Sequence, residues 1–133
     1  MKIQNVVIIG SGTMGSGIAA HLCNANIPVT LLDLKTEISE KARDRIFRSR
    51  PPLLLDKSKI NNIKIGNISD NFNVVKEADW IVEAVVERID VKHSIYKKIF
   101  EERKPGAIVS SNTSSIPIKI LSEKLTKEEK KDF

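Results

Sequence analysis

The chain has 133 residues, a formal net charge of +5, 41% hydrophobic residues and 29% charged residues. That length holds one domain of about 100–150 residues with its own core, and the composition excludes a disordered chain. Apolar runs stop at about eight residues, which excludes a membrane helix of ~20; the opening MKIQNVVIIGSG lacks a cleavage-site pattern, so no signal peptide is expected, and the lone Cys23 has no disulfide partner, which fits a reducing cytoplasm.

Residues 3–9, IQNVVII, form an apolar run broken by Gly10, the pattern of a strand buried on both faces. Residues 14–26 place Ile18, Leu22 and Ala25 at helical spacing, with Pro28 as the expected stop. Residues 29–32 read as a second buried strand ending at Asp33. Strand, helix and strand within about 30 residues make a right-handed parallel βαβ unit. Thr36 reads as the cap of a helix over 38–47, and residues 49–62 read as a loop. A short strand is expected at 63–65 and a short helix capped by Asn73 over 74–78. Asp79 opens a buried strand over 80–86. Residues 89–103 are helical, with Ile95, Ile99, Tyr96 and Phe100 on one face and Pro105-Gly106 as the stop. A strand over 107–109 runs into Ser110-Ser111-Asn112-Thr113-Ser114-Ser115, and a helix over 116–125 leads to a charged tail ending at Phe133. This alternation specifies an α/β fold. We expect a Rossmann-type doubly wound parallel sheet in three αβα layers, one domain over 1–133, incomplete at its C-terminal end.

The charge is local. Residues 35–64 carry nine basic and four acidic groups, and this excess of five equals the whole net charge. A basic segment fits nucleic acid, a membrane surface or a phosphorylated small molecule, or is a solvated helix face. Aromatic residues are only 5% and no recognition motif is present, so neither nucleic acid nor a membrane is the expected partner.

The first strand runs into Gly10-Ser11-Gly12-Thr13-Met14-Gly15, a GxGxxG pattern followed by a helix and then by an acid at the next strand end. In that context the glycines have separate tasks. Gly10 makes the tight turn, Gly12 lets backbone approach a pyrophosphate, and Gly15 lets the helix pack on the strand. The pyrophosphate rests on the N–H groups of the helix start, beside Thr13 and Met14. Asp33 is placed to accept both ribose hydroxyls and to repel a 2′-phosphate, which selects NAD over NADP. Met14 packs under the cofactor or in the core. Cys23 reads as a packed core thiol, His93 as solvated, and His21 as non-catalytic. No His/Cys cluster has metal-ligand spacing.

With GSGTMGSGIAAHL, DWIVEAVVERIDVKHSIYKKI and KPGAIVSSNTSSI in this order and spacing, nearly the whole chain resembles the NAD-binding domain of the 3-hydroxyacyl-CoA dehydrogenases. Residues 36–64 match poorly. The resemblance implies oxidation of 3-hydroxyacyl-CoA to 3-ketoacyl-CoA with NAD in fatty-acid β-oxidation. It implies that Glu87 and Lys92 lie beside the nicotinamide ribose; a surface charge pair is the plainer reading. It implies that Ser114 contacts the substrate oxygen and the cofactor, at the end of a central strand; a turn and helix cap is the plainer reading there. It further implies that basic groups of 35–64 meet the CoA phosphates. It places the catalytic histidine and its orienting glutamate past residue 133, together with a helical substrate and dimerisation domain. The isolated chain is then expected to be inactive, with a complementing C-terminal polypeptide as a partner. The competing readings are a non-catalytic NAD-binding remnant, a subunit of a split enzyme, and a β-hydroxyacid dehydrogenase of the 3-hydroxyisobutyrate type. The SNTSS run, the EAVVE…K spacing and Asp33 argue against the last.

Overall fold

A computed structural model describes residues 2–133. Val6–Ile9 forms β1 and Thr13–Asn24 forms α1. Val29–Asp33 is β2, Thr36–Arg48 is α2 and Ile63–Asn67 is β3. A one-turn helix α3, Ile68–Asn71, precedes β4, Trp80–Glu83. Then follow α4, Ile89–Glu102, and β5, Ile108–Ser111. Single turns α5, Ile118–Leu121, and α6, Lys127–Lys130, complete the order. All five strands are parallel, in the order β3-β2-β1-β4-β5.

Alternate residues of β1 serve the two faces, as the twofold period of a strand requires. Val6 and Ile8 pack with Ala19, Cys23, Ala42 and Ile46 of α1 and α2. Val7 and Ile9 pack with Ile95, Tyr96 and Ile99 of α4 on the other face. Both faces of the sheet are thus covered, which explains why β1 is an unbroken apolar run. The expected three αβα layers are present.

Several boundaries differ from the sequence reading. The first helix stops at Asn24 because Asn26 adopts a left-handed φ of 62° and Ile27 N–H returns to the Leu22 carbonyl, so Pro28 is not the stop. Thr36 lies inside α2 and Lys35 is its N-cap; the Thr36 hydroxyl accepts from Asn67 instead. The loop over 49–62 contains a 3₁₀ segment, Lys57–Asn62, capped by Asp56. The short helix expected over 74–78 is a 3₁₀ segment, Phe72–Glu77, which starts after Asn71 without a side-chain cap, so Asn73 lies inside it and caps nothing. Asn67 caps the preceding α3, through a bond from Asp70 N–H. β4 ends at Glu83 because its carboxylate accepts Val85 N–H and bends the chain away. The helix expected over 116–125 is cut to one turn: Pro117 is the N-cap of α5, and Thr126 begins α6 with a reciprocal capping box to Glu129. β5 is an edge strand rather than a central one, and its Val109 N–H reaches the Asp132 carbonyl.

Candidate functional site

The strand order reverses between β1 and β4, where open α/β sheets bind ligands beyond their C-terminal strand ends. A cavity of about 650 Å³ lies there. The turn Gly10–Met14 lines its middle, Asp33 and Leu34 one end, and Val85–Glu87 with Asn112–Ser114 the other.

The turn is built by close contacts. Gly10 has a φ of 107°, and a Cβ on it would sit 2.3 Å from the Ala84 carbonyl oxygen. A Cβ on Gly15 would sit 1.9 Å from the Gly10 carbonyl oxygen, so α1 is seated directly on the turn. Gly12 differs, because a Cβ there meets nothing within 4 Å. Gly12 is also the N-cap of α1, with no side-chain cap and no acid in the first turn. The first N–H groups of α1 are therefore left open, with the positive end of the helix dipole behind them. Thr13 and Met14 line the cavity, and Met14 is 58% exposed, so it does not belong to the core.

Asp33 closes one end. Its Oδ2 accepts Ser11 N–H at 2.8 Å and the Ser11 hydroxyl at 2.5 Å, while Oδ1 accepts Leu34 N–H at 2.7 Å. A carboxylate has about four lone-pair sites. One site on Oδ1 therefore stays open, fewer than two ribose hydroxyls would need. From behind, the Arg45 guanidinium donates to the Ser11 carbonyl, which also accepts the Ser16 hydroxyl.

The other end is a chain of acceptors and donors. Glu87 Oε2 accepts Ser114 N–H at 2.7 Å, Ser115 N–H at 3.0 Å and the Ser114 hydroxyl at 3.0 Å. Oε1 accepts the Thr113 hydroxyl and lies 3.2 Å from Lys92 Nζ. The Ser114 and Ser115 N–H groups, aided by Lys92 and Thr113, hold the Glu87 carboxyl far below the usual carboxylate range. Ser114 is exposed on the cavity wall, three residues past β5. Its N–H and its hydroxyl both donate to Glu87, and α5 begins after Pro117, so Ser114 is not a helix cap.

Lys92 and Glu87 are not a surface pair. The Lys92 side chain is fully buried behind the wall, 2.7 Å from Glu83 Oε2. Glu83 is also fully buried, and its Oε1 accepts the Tyr96 and Ser111 hydroxyls, each at 2.6 Å. Burial first, then this bond to Glu83, push the Tyr96 phenol far above its usual range. The sequence reading missed Glu83, Tyr96, Ser111, Ser11 and Arg45. The signals for the first two were present. Glu83 is a charge inside the apolar run WIVEAVV, which obliges it to find partners, and Tyr96 follows Lys92 by one helical turn.

Neither histidine reaches the cavity. His21 is exposed near the end of α1, and His93 is half-buried with Nε2 at 2.9 Å from the Ile120 carbonyl, so it is not simply solvated. Cys23 is buried as expected. Among the described residues no group of three His, Cys, Asp or Glu side chains could hold a metal, and no helix is long and apolar enough to cross a membrane. The basic segment is partly committed to the fold: Arg43, Arg45 and Lys59 donate to the carbonyls of Ile63, Ser11 and Asn24.

Residues 5–132 match the family model of the 3-hydroxyacyl-CoA dehydrogenase NAD binding domain. The chain belongs to that family. Its cofactor is therefore NAD, and the likeness to 3-hydroxyisobutyrate-type enzymes is set aside. A probable 3-hydroxyacyl-CoA dehydrogenase of Deinococcus radiodurans is 37% identical over 130 residues, covering 92% of this chain and 38% of the relative. The peroxisomal fatty acid beta-oxidation multifunctional protein AIM1 of Arabidopsis thaliana is 32% identical, covering 96% of this chain and 18% of the relative. Among solved structures, M. tuberculosis FadB2 superposes with a TM-score of 0.84 at 28% identity, covering 97% of this chain and 47% of that one. This member of the dehydrogenase family thus spans less than two fifths of the length of either sequence relative.

Proposed function

We propose that the chain is the cofactor-binding part of an NAD-dependent 3-hydroxyacyl-CoA dehydrogenase of fatty-acid β-oxidation, working in the cytoplasm. The observation that carries this reading is the single cavity at the β1/β4 switch, with open helix N–H groups in its middle, Asp33 at one end and the Glu87–Ser114 group at the other. NAD, when bound, supplies the hydride acceptor. Gly10, Gly12 and Gly15 shape the turn so that Thr13 and Met14 N–H groups meet the pyrophosphate. The open lone pair of Asp33 Oδ1 takes one adenosine ribose hydroxyl. Glu87, fixed by Lys92, serves the nicotinamide ribose, and Ser114 presents its hydroxyl to the substrate oxygen. The basic residues of 35–64 that no carbonyl engages, such as Lys41 and Arg50, are the candidates for the CoA phosphates.

A general base must come within about 3 Å of the substrate hydroxyl, and neither His21 nor His93 lines the cavity. The 133-residue chain alone is therefore expected to bind NADH without reducing acetoacetyl-CoA. Turnover should appear when a polypeptide supplying a histidine base is added. Measurable turnover by the chain alone would overturn the assignment of the base to another segment. Calorimetry with NADH and NADPH tests the cofactor end: NADH should bind preferentially, and Asp33→Ala should weaken it by about tenfold, the loss of a charge-assisted hydrogen bond. Equal affinity for both cofactors would refute the role of Asp33.

A further inference from the structure

Glu83 does not line the cavity, yet every element at the Glu87–Ser114 end passes through it. Its four acceptor sites are filled by Val85 N–H, Lys92 Nζ, the Tyr96 hydroxyl and the Ser111 hydroxyl. These donors lie on the loop after β4, on α4 twice, and at the end of β5. The Glu83 carbonyl in addition accepts Asn112 N–H at 2.8 Å, just where the chain leaves β5 for Thr113 and Ser114. Lys92 then passes the constraint on, since it bridges Glu83 and Glu87, and Glu87 grips Thr113, Ser114 and Ser115. A buried carboxylate with all sites satisfied is a rigid anchor, whereas a partly satisfied one would be costly.

We propose that Glu83 is the positioning residue of the nicotinamide end of the site: it fixes Lys92, and through Lys92 it fixes Glu87 and the 113–115 loop. This rests on the reading of the cavity as the NAD site. Glu83 leaves the adenosine end alone, because Asp33, Ser11 and Arg45 form a separate set of bonds beside β2.

Glu83→Gln isolates the charge. The hydroxyls of Tyr96 and Ser111 can rotate to accept from the new amide, while its oxygen still accepts from Val85 and Lys92, so packing is retained. Lys92 is then left with Glu87 alone as its counter-charge, which pulls Glu87 off the 113–115 loop. The test compares two ligands on the full 133-residue chain by calorimetry. ADP reports the adenosine end and the turn, and NADH reports both ends. The expected result is NADH affinity lowered about tenfold with ADP affinity within twofold of wild type. A merely structural loss lowers both by the same factor, and unchanged NADH affinity shows that nothing is relayed. Either result overturns the proposal. Tyr96→Phe serves if Glu83→Gln does not fold. It removes one donor at nearly constant volume and should lower NADH affinity a few-fold with ADP unchanged; a folded Tyr96→Phe with unchanged NADH affinity also overturns it. Failure of wild type to bind either ligand would instead overturn the reading of the cavity.

Discussion

Gly12 and Gly15 are three residues apart in one turn, and alanine at the two positions should have opposite consequences. At Gly15 the new Cβ would lie 1.9 Å from the Gly10 carbonyl oxygen and 3.0 Å from its carbon. An ordinary carbon–oxygen contact is about 3.3 Å, so α1 must retreat by roughly 1.4 Å from β1. Ala19, Ala20 and Cys23 of α1 are fully packed under that movement, and overpacking of this kind costs about 3 kcal/mol or more. With a urea slope of about 2 kcal/mol/M, the midpoint should fall by roughly 1.5 M. At Gly12 a Cβ meets nothing, and the φ of −68° suits any residue. Its weaker capping is offset by the smaller entropy of the unfolded chain, leaving a change within about 0.5 kcal/mol. With the pyrophosphate on the α1 N-terminus as proposed, the Gly12 Cβ would enter its space, so NADH affinity should drop by at least about tenfold, or 1.4 kcal/mol. Urea denaturation and calorimetry on the two variants check both halves. A Gly12→Ala chain as unstable as Gly15→Ala, or one that binds NADH like wild type, would refute the division of labour.

Two other tests address the scaffold. Asp79 accepts Gln4 and Asn5 N–H groups and pairs with Lys104, and these bonds, Lys104 first, hold its carboxyl down at about 2. Because the folded value lies below the ordinary one, this stabilisation is complete above about pH 4 and is lost as pH falls through 2. Asp79→Asn should therefore lower the urea midpoint at pH 7, with the gap to wild type closing toward pH 2; a gap that persists at pH 2 refutes the assignment. Cys23 is buried with its thiol on the Lys59 carbonyl, and burial raises its pKa. A thiol reagent should label the native chain only as fast as it opens and label it at once in strong urea. Immediate labelling of the native chain would show that the face between α1 and residues 57–62 is open.

How much of this was legible follows from which physics was local. The βαβ unit was readable because Val6–Ile9, the glycine turn and Asp33 lie within one short stretch, and the periodicity of an apolar strand needs no distant partner. The helix limits were not, because Asn26 ends α1 and Pro117 starts α5 through backbone angles that composition only hints at. The site divided the same way. Asp33 and Glu87 could be picked out by position, but the bonds that already occupy most of Asp33 and of Glu87 could not, since they depend on Ser11, 22 residues from Asp33, and on Ser114, 27 residues from Glu87. Lys92 looked exposed because its helix is rich in charge; only the packing of α4 on β4 turns that position inward.

The sheet order also sets a schedule for synthesis. β1 pairs with β2 across residues 6 and 29, but its other edge waits for Trp80, 74 residues later in the register. At roughly 5–20 residues per second, that edge stays open for about 4–15 s on the ribosome. The waiting edge is Val-Val-Ile-Ile, an apolar, uncharged strand of the kind that recruits other chains. For this chain the hazardous interval in folding is thus dictated by placing its first strand at the centre of the sheet, and slower translation between residues 34 and 80 should raise aggregation.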